Sequence, residues 1–283
     1  MDVIVAESGT QEESSMKETT KRGLSGSTLK IIAMITMFID HIGAAVLARM
    51  ILQFWQLPEI VRFPGLWEMF PWLADPDKLV VVYTISRFIG RIAFPIYCFL
   101  LVEGFLHTKS RWKYALRLGI FALLSEIPFD LAFQSQMFGF KYQNVFFTLL
   151  IGLLTMMCCE WFQKRKWTNS VVLNKIIGIV CFLVVCSAGA VLAELLRTDY
   201  GARGVFCIMV LYLFRYTRPA QLVAGAVSFY WELPAPLAFL PLAFYNNQKG
   251  LNLKYVFYVF YPLHLLLLYF LCILLGIGAI SAI

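Results

Sequence analysis

The chain has 283 residues, of which 60% are hydrophobic and 14% charged, whereas a soluble domain carries about 25% charged residues. That composition excludes an ordinary soluble domain and points to a polytopic membrane protein. The formal charge of +7 is not a nucleic-acid signature. Most Lys and Arg fall in short connections between apolar runs, where the positive-inside rule places them, and nucleic acid is not an expected partner.

Residues 1–28 are rich in Ser, Thr, Glu and Lys and lack a sustained apolar run. They are expected to form a disordered tail. Lys17, Lys21, Arg22 and Lys30 precede the first apolar run, so the tail is expected on the cytoplasmic side. Residues 29–283 then read as a single transmembrane domain. The first span, Leu29 to Leu52, carries Asp40 and His41 at its middle. A charge there costs on the order of 2.5–3.5 kcal/mol on insertion scales, which makes the pair a functional candidate. The connection from Gln53 to Lys78 is acidic, contains Trp55, Trp67 and Trp72, and suits the outer interface.

The second span is expected from Leu79 to His107, followed by the basic loop Thr108–Lys113 on the inner side. Further spans are expected near 114–133, 145–162, 176–196 and 204–214, with Lys164, Arg165 and Lys166 inside and Arg197–Arg203 outside. Between Pro219 and Tyr245 there is either one long span or two half-spans divided near Pro234 and Pro236. The half-spans keep Lys249 and Lys254 inside, as the positive-inside rule favours. The last span runs from about Val256 to Ile280 and contains His264. The expected fold is therefore an all-α membrane helix bundle of about eight or nine transmembrane helices. The seven cysteines show no CxxC pair or metal-ligand spacing. They read as small apolar side chains, and no metal site is expected.

Depth groups the polar residues. His41 lies roughly 16 Å beyond Lys30 along the first helix, His264 roughly 15 Å beyond Lys254, and Arg91 roughly 18 Å beyond Leu79, with Arg87 one turn from it. Asp40, His41, Arg91 and His264 thus share a level, as the walls of one polar chamber would. Asp40 and Arg91 also read as a structural ion pair, and His264 as an interior histidine satisfied by a carbonyl. Glu103, Glu126 and Asp130 interrupt other apolar runs and add to the set.

The run LKIIAMITMFIDHIGAAVL from Leu29 resembles the first motif of the TraX family of membrane proteins. So do RFIGRIAFPIYCFLLVEGFLHT from Arg87, RLGIFALLSEIPFDLAF from Arg117, NVFFTLLIGLL from Asn144, DYGARGV from Asp199 and YVFYVFYPLHLLLLY from Tyr255. The family's founder looks like a pilin acetylase, and the family resembles the acyltransferase type 3 membrane enzymes. The resemblance implies a bacterial plasma-membrane enzyme that moves acetyl from cytoplasmic acetyl-CoA to an acceptor protein, glycan or lipid. His41 matches the family's histidine, and Arg87 and Arg91 are similar to its arginines.

That chemistry needs a base for the attacking amine or hydroxyl, and positive charge for the developing oxyanion. His41 suits the base. Asp40 would orient it or pair with Arg91, and His264 would be a second base or a positioning group. Arg87 or Arg91 would hold a phosphate or polarise the thioester. Glu103, Glu126 and Asp130 are candidates for lining the site. Lys109, Arg111 and Lys113, with Arg117, form a candidate patch for the phosphates of acetyl-CoA; simple topology signalling explains the same cluster. Midplane charges and Pro-broken spans also fit a secondary transporter, and a non-catalytic assembly factor is a third reading.

Overall fold

The computed structural model describes residues 23–56, 75–252 and 254–282. Residues 1–22 and most of the expected outer connection, with Trp67 and Trp72, lie outside the described residues. Described residues form helices joined by short turns, in the order α1 (Gly26–His41), a π-helical stretch (Ile42–Leu47), α2 (Ala48–Gln56), α3 (Pro76–Gly90), α4 (Ala93–His107), α5 (Arg111–Gln134), α6 (Val145–Gln163), α7 (Val171–Leu195), α8 (Gly201–Leu213), α9 (Arg218–Ser228), a 3-10 turn (Ala235–Ala238), α10 (Phe239–Ala243) and α11 (Lys254–Leu274).

Among the described residues, five stretches are long and apolar enough to cross a membrane: Gly26–Gln53, Pro76–His107, Val145–Gln163, Val171–Leu195 and Tyr255–Leu274; Gly201–Leu213 is a shorter apolar helix. The 24-residue α5 is also long enough but carries Arg111, Lys113, Arg117, Glu126 and Asp130. Helix starts follow local chemistry. The side chains of Ser25, Ser110, Asn144 and Ser170 each accept a backbone N–H in the first turn of α1, α5, α6 and α7, meeting donors that have no intrahelical partner. Only Gly189 and Ala193 of α7 are buried, so that helix shows its apolar side chains to its surroundings, as a helix at a lipid boundary does.

Two differences from the sequence reading have physical causes. The expected second span lies within the single stretch Pro76–His107, but its helix is interrupted: α3 stops at Gly90 and α4 begins at Ala93. Pro95 explains the break, because it has no N–H to donate and its ring crowds the carbonyl four residues back, that of Arg91. The tail expected to be disordered through residue 28 is ordered from Gly23. Leu24 N–H donates to Phe244 C=O (2.8 Å), Gly26 N–H to Gln248 C=O (2.8 Å) and Ser27 N–H to Lys249 C=O (3.0 Å).

The same bonds place residues 244–249 at the end of the bundle where α1 starts. Between Pro219 and Tyr245 the structure accordingly has two half-length helices, α9 and the Ala235–Ala243 segment. The opposite end is tied by Arg49, fully buried and joined to no carboxylate among the described residues. It donates to the carbonyls of Ala45 (2.8 Å), Leu131 (3.2 Å), Ala132 and Ile280 (2.6 Å), and to Ser135 Oγ (2.9 Å). This holds the C-terminus of α5, rich in unpaired carbonyls, against α2 and the end of the chain.

Candidate functional site

The site grows from the place where α1 loses its regular winding. His41 is the last α-helical residue of α1, and the next six residues form π turns, a local widening that is frequent at functional sites. α11 packs beside this turn, and its Pro262 lies two residues before His264. His41 Nδ1 and His264 Nε2 are 2.6 Å apart. The rings are within 2° of coplanar with centroids 4.9 Å apart, the geometry of an in-plane hydrogen bond. His264 Nδ1 lies 2.7 Å from the Phe260 carbonyl.

A carbonyl only accepts, so His264 Nδ1 carries its proton and donates. With both rings neutral, His264 Nε2 is then a bare acceptor and His41 Nδ1 is the donor. His41 Nε2 is left with a free lone pair, and no described residue bonds to it. Phe133 and Tyr261 meet the His41 ring edge-on at 5.4 and 6.0 Å and fix its plane.

His41 lines a chamber of about 130 Å³ together with Asp40, Arg87, Arg91, Asp199 and Tyr200. Arg87 Nη1 donates to Asp40 Oδ2 at 2.6 Å. The sequence reading paired Asp40 with Arg91 or with His41; the structure corrects both. The break at Pro95 makes Arg91 the cap residue of α3, and its Nη1 meets Glu232 Oε1 at 2.8 Å instead. Asp40 lies beside the end of α3 because Gly90 has no side chain there. A Cβ on Gly90 would stand 2.1 Å from that of Asp40. Tyr200 stacks on Phe94 with centroids 3.5 Å apart. Asp40 Oδ1 and Glu232 Oε2 have no hydrogen-bond partner among the described residues.

A second, larger cavity of about 460 Å³ lies toward the end where α1 begins, lined by Lys30, Glu103, Arg117, Lys249 and several aromatic rings. Tyr97 lines both cavities. The other predicted residues divide. Glu103 lines the second cavity and accepts from Arg218 at 3.1 Å. Glu126 accepts from the Asn144 side chain and from its N–H (3.0 Å). Asp130 accepts from Gln134 (2.8 Å) and Gly139 N–H (2.6 Å). The last two carboxylates shape the turn between α5 and α6 and line neither cavity.

Nor do Lys109, Arg111 and Lys113: the two lysines are exposed, while Arg111 pairs with Glu160 and covers the Phe105 ring at 4.3 Å. Of that basic patch only Arg117 reaches a cavity. Sequence reasoning missed Asp199, Tyr200 and Glu232. Asp199 and Tyr200 open the motif DYGARGV, and Glu232 is the one charge between the two half-helices; those were the signals that could have found them.

Comparison with known proteins agrees with this architecture. No solved structure matches the chain. It is 28% identical over 274 residues to a protein of Dichelobacter nodosus described as probable fimbrial assembly protein FimC, serogroup H1, covering 86% of this chain and 94% of that one. The family model described as TraX protein matches residues 25–272, a stretch that holds both histidines, both arginines and both cavities, and the chain belongs to the TraX family.

Proposed function

We propose that this protein is a multi-pass membrane acetyltransferase. It moves acetyl from acetyl-CoA to an amine or hydroxyl of a membrane-associated acceptor such as a pilin N-terminus, a glycan or a lipid-linked sugar. The observation that carries the reading is the His264–His41 pair, which leaves a basic nitrogen beside two arginines in a small chamber. His41 Nε2 takes the proton of the acceptor nucleophile as it attacks the thioester carbonyl. The negative charge that develops on that oxygen faces Arg87 and Arg91, whose guanidiniums keep donors beyond those given to Asp40 and Glu232. The C–S bond then breaks, the thiolate of CoA leaves, and the proton on His41 returns to it. Acetylated acceptor and free CoA thiol result, and the enzyme is restored.

The protein would lie in a bacterial plasma membrane with the α1 start and residues 244–252 on the cytoplasmic face. The two half-helices between α8 and α11 would count among its eight or nine inserted segments. The D. nodosus relative's description as a fimbrial assembly protein supports a pilus-related acceptor, and equally a non-catalytic assembly role.

One experiment separates these. Membranes containing wild type or His41→Ala at matched expression are given acetyl-labelled CoA, and label is followed into protein, lipid and glycan fractions. Label that requires His41 supports the transferase, and the labelled fraction names the acceptor class. No label from folded protein in native membranes, or equal label in both, overturns catalysis by His41.

A further inference from the structure

The second cavity has an uneven distribution of charge. Lys30 comes from the first turns of α1, Arg117 from α5, and Lys249 from the segment after α10, and all three line it. None of them forms an ion pair with a carboxylate among the described residues. Lys30 sits over the Phe257 ring at 4.9 Å. Lys249 Nζ reaches only the amide oxygen of Asn252 at 3.1 Å. Arg117 lies over Tyr114 at 5.6 Å and bonds the Tyr258 hydroxyl, and its Nε has no hydrogen-bond partner among the described residues. The cavity's one acid, Glu103, is engaged by Arg218. Lys249 is exposed and Lys30 and Arg117 are half-buried; three cations without a carboxylate partner around one cavity give it a positive potential that favours an anion.

The rest of the cavity is apolar or aromatic, with Leu101, Leu118, Phe146 and Tyr258 in its wall. Its inner limit is Tyr97, shared with the histidine chamber. Lys30 and His41 lie on one helix, roughly 16 Å apart along its axis. The shape asks for a ligand with a phosphate head and a slim, uncharged arm.

We infer that this cavity is the donor channel, in which Lys30, Arg117 and Lys249 hold the phosphate groups of a phosphate-bearing thioester whose arm passes Tyr97 to bring the acyl carbonyl to His41. The inference rests on the acetyl-CoA reading above and adds the place and the residues. An anionic phospholipid headgroup shares the phosphate chemistry, so the test includes both sources.

Purified protein in phosphatidylcholine nanodiscs is titrated with CoA. Wild type, Lys30→Gln/Lys249→Gln, the charge-keeping Lys30→Arg/Lys249→Arg and Lys141→Gln, a loop lysine at the far end of the bundle, are compared after each is shown to remain monodisperse. The glutamine pair is expected to weaken CoA binding by about 10-fold or more. The arginine pair should restore most of it, Lys141→Gln should leave it unchanged, and pantetheine without phosphates should bind wild type and the glutamine pair equally poorly.

CoA affinity indifferent to the glutamine pair overturns the channel while leaving the acetyltransferase reading intact. CoA binding that depends on the lysines, without His41-dependent transfer, supports the channel and overturns that reading instead. A wild type that ignores CoA yet retains phosphatidylglycerol, and loses it in the glutamine pair, overturns the donor channel in favour of a lipid site.

Discussion

His264 spends its Nδ1 proton on the carbonyl of Phe260 in its own helix, and in doing so selects the nitrogen of His41 that is free. In the proposed mechanism the base is thus oriented by another histidine, with Asp40 committed to Arg87. Replacing His264 with Ala removes the acceptor at His41 Nδ1 and lets the ring change tautomer. Acetyl transfer is expected to fall about 10- to 100-fold with CoA affinity unchanged, and His264→Gln, which keeps an acceptor oxygen, should retain more activity than Ala. His41→Ala should lose on the order of 10²–10⁴-fold, and the double variant no more than that, because the two act as a unit. Initial rates of label transfer at matched expression check all three.

Asp40 and Arg87 form a pair largely enclosed by α1 and α3. Removing one member leaves the other charge without its partner, at a cost of about 3–5 kcal/mol. Asp40→Asn and Arg87→Gln should each lower thermal stability sharply, and the double variant should cost clearly less than their sum. Melting curves of the four proteins in one detergent would refute the pairing if the losses simply add.

Gly90→Ala would push a methyl into Asp40. A forced adjustment of this kind costs about 1–3 kcal/mol, and here it also displaces the pair with Arg87, so both stability and transfer rate should drop. Gly178, on the outward α7, has no atom within 4 Å of a new Cβ, and Gly178→Ala should be neutral or stabilising by up to about 1 kcal/mol. The same melts and rate assay distinguish the two glycines.

Arg49→Met keeps the stem but removes every donor to Ala45, Leu131, Ala132, Ser135 and Ile280. With several buried carbonyls left unpaired, the loss is expected to be about 3 kcal/mol or more. Limited proteolysis should then cut first near the α5–α6 turn and the C-terminal residues, while CoA binding at the opposite end declines later.

The level shared by His41 and His264 was readable because rise per residue is fixed and both helices have basic residues near one end. The partners of the arginines were not readable, since they depend on where a helix breaks. Pro95 announces a break, but only the packing of the half-helices shows that Arg91 then meets Glu232 rather than Asp40. That the patch Lys109, Arg111 and Lys113 lines neither cavity was unreadable for a related reason. Its proximity to the inner end was legible, but the contact of Arg111 with Glu160 depends on how α5 lies against α6. Lys249 escaped notice as a site residue because its nearness to Lys30 arises from backbone pairing between segments more than 200 residues apart.

The hydrogen bond between His41 and His264 joins α1 to α11, the first and last of the described helices. A ribosome must therefore have made α11 before His41 can acquire this partner, and the pairing of residues 24–27 with 244–249 imposes a similar delay at the other end of α1. Prematurely terminated or half-inserted chains carry His41 but lack what arms it. In the proposed mechanism, competence thus waits on synthesis of α11, and chains that stop before it would sit in the membrane without consuming a thioester.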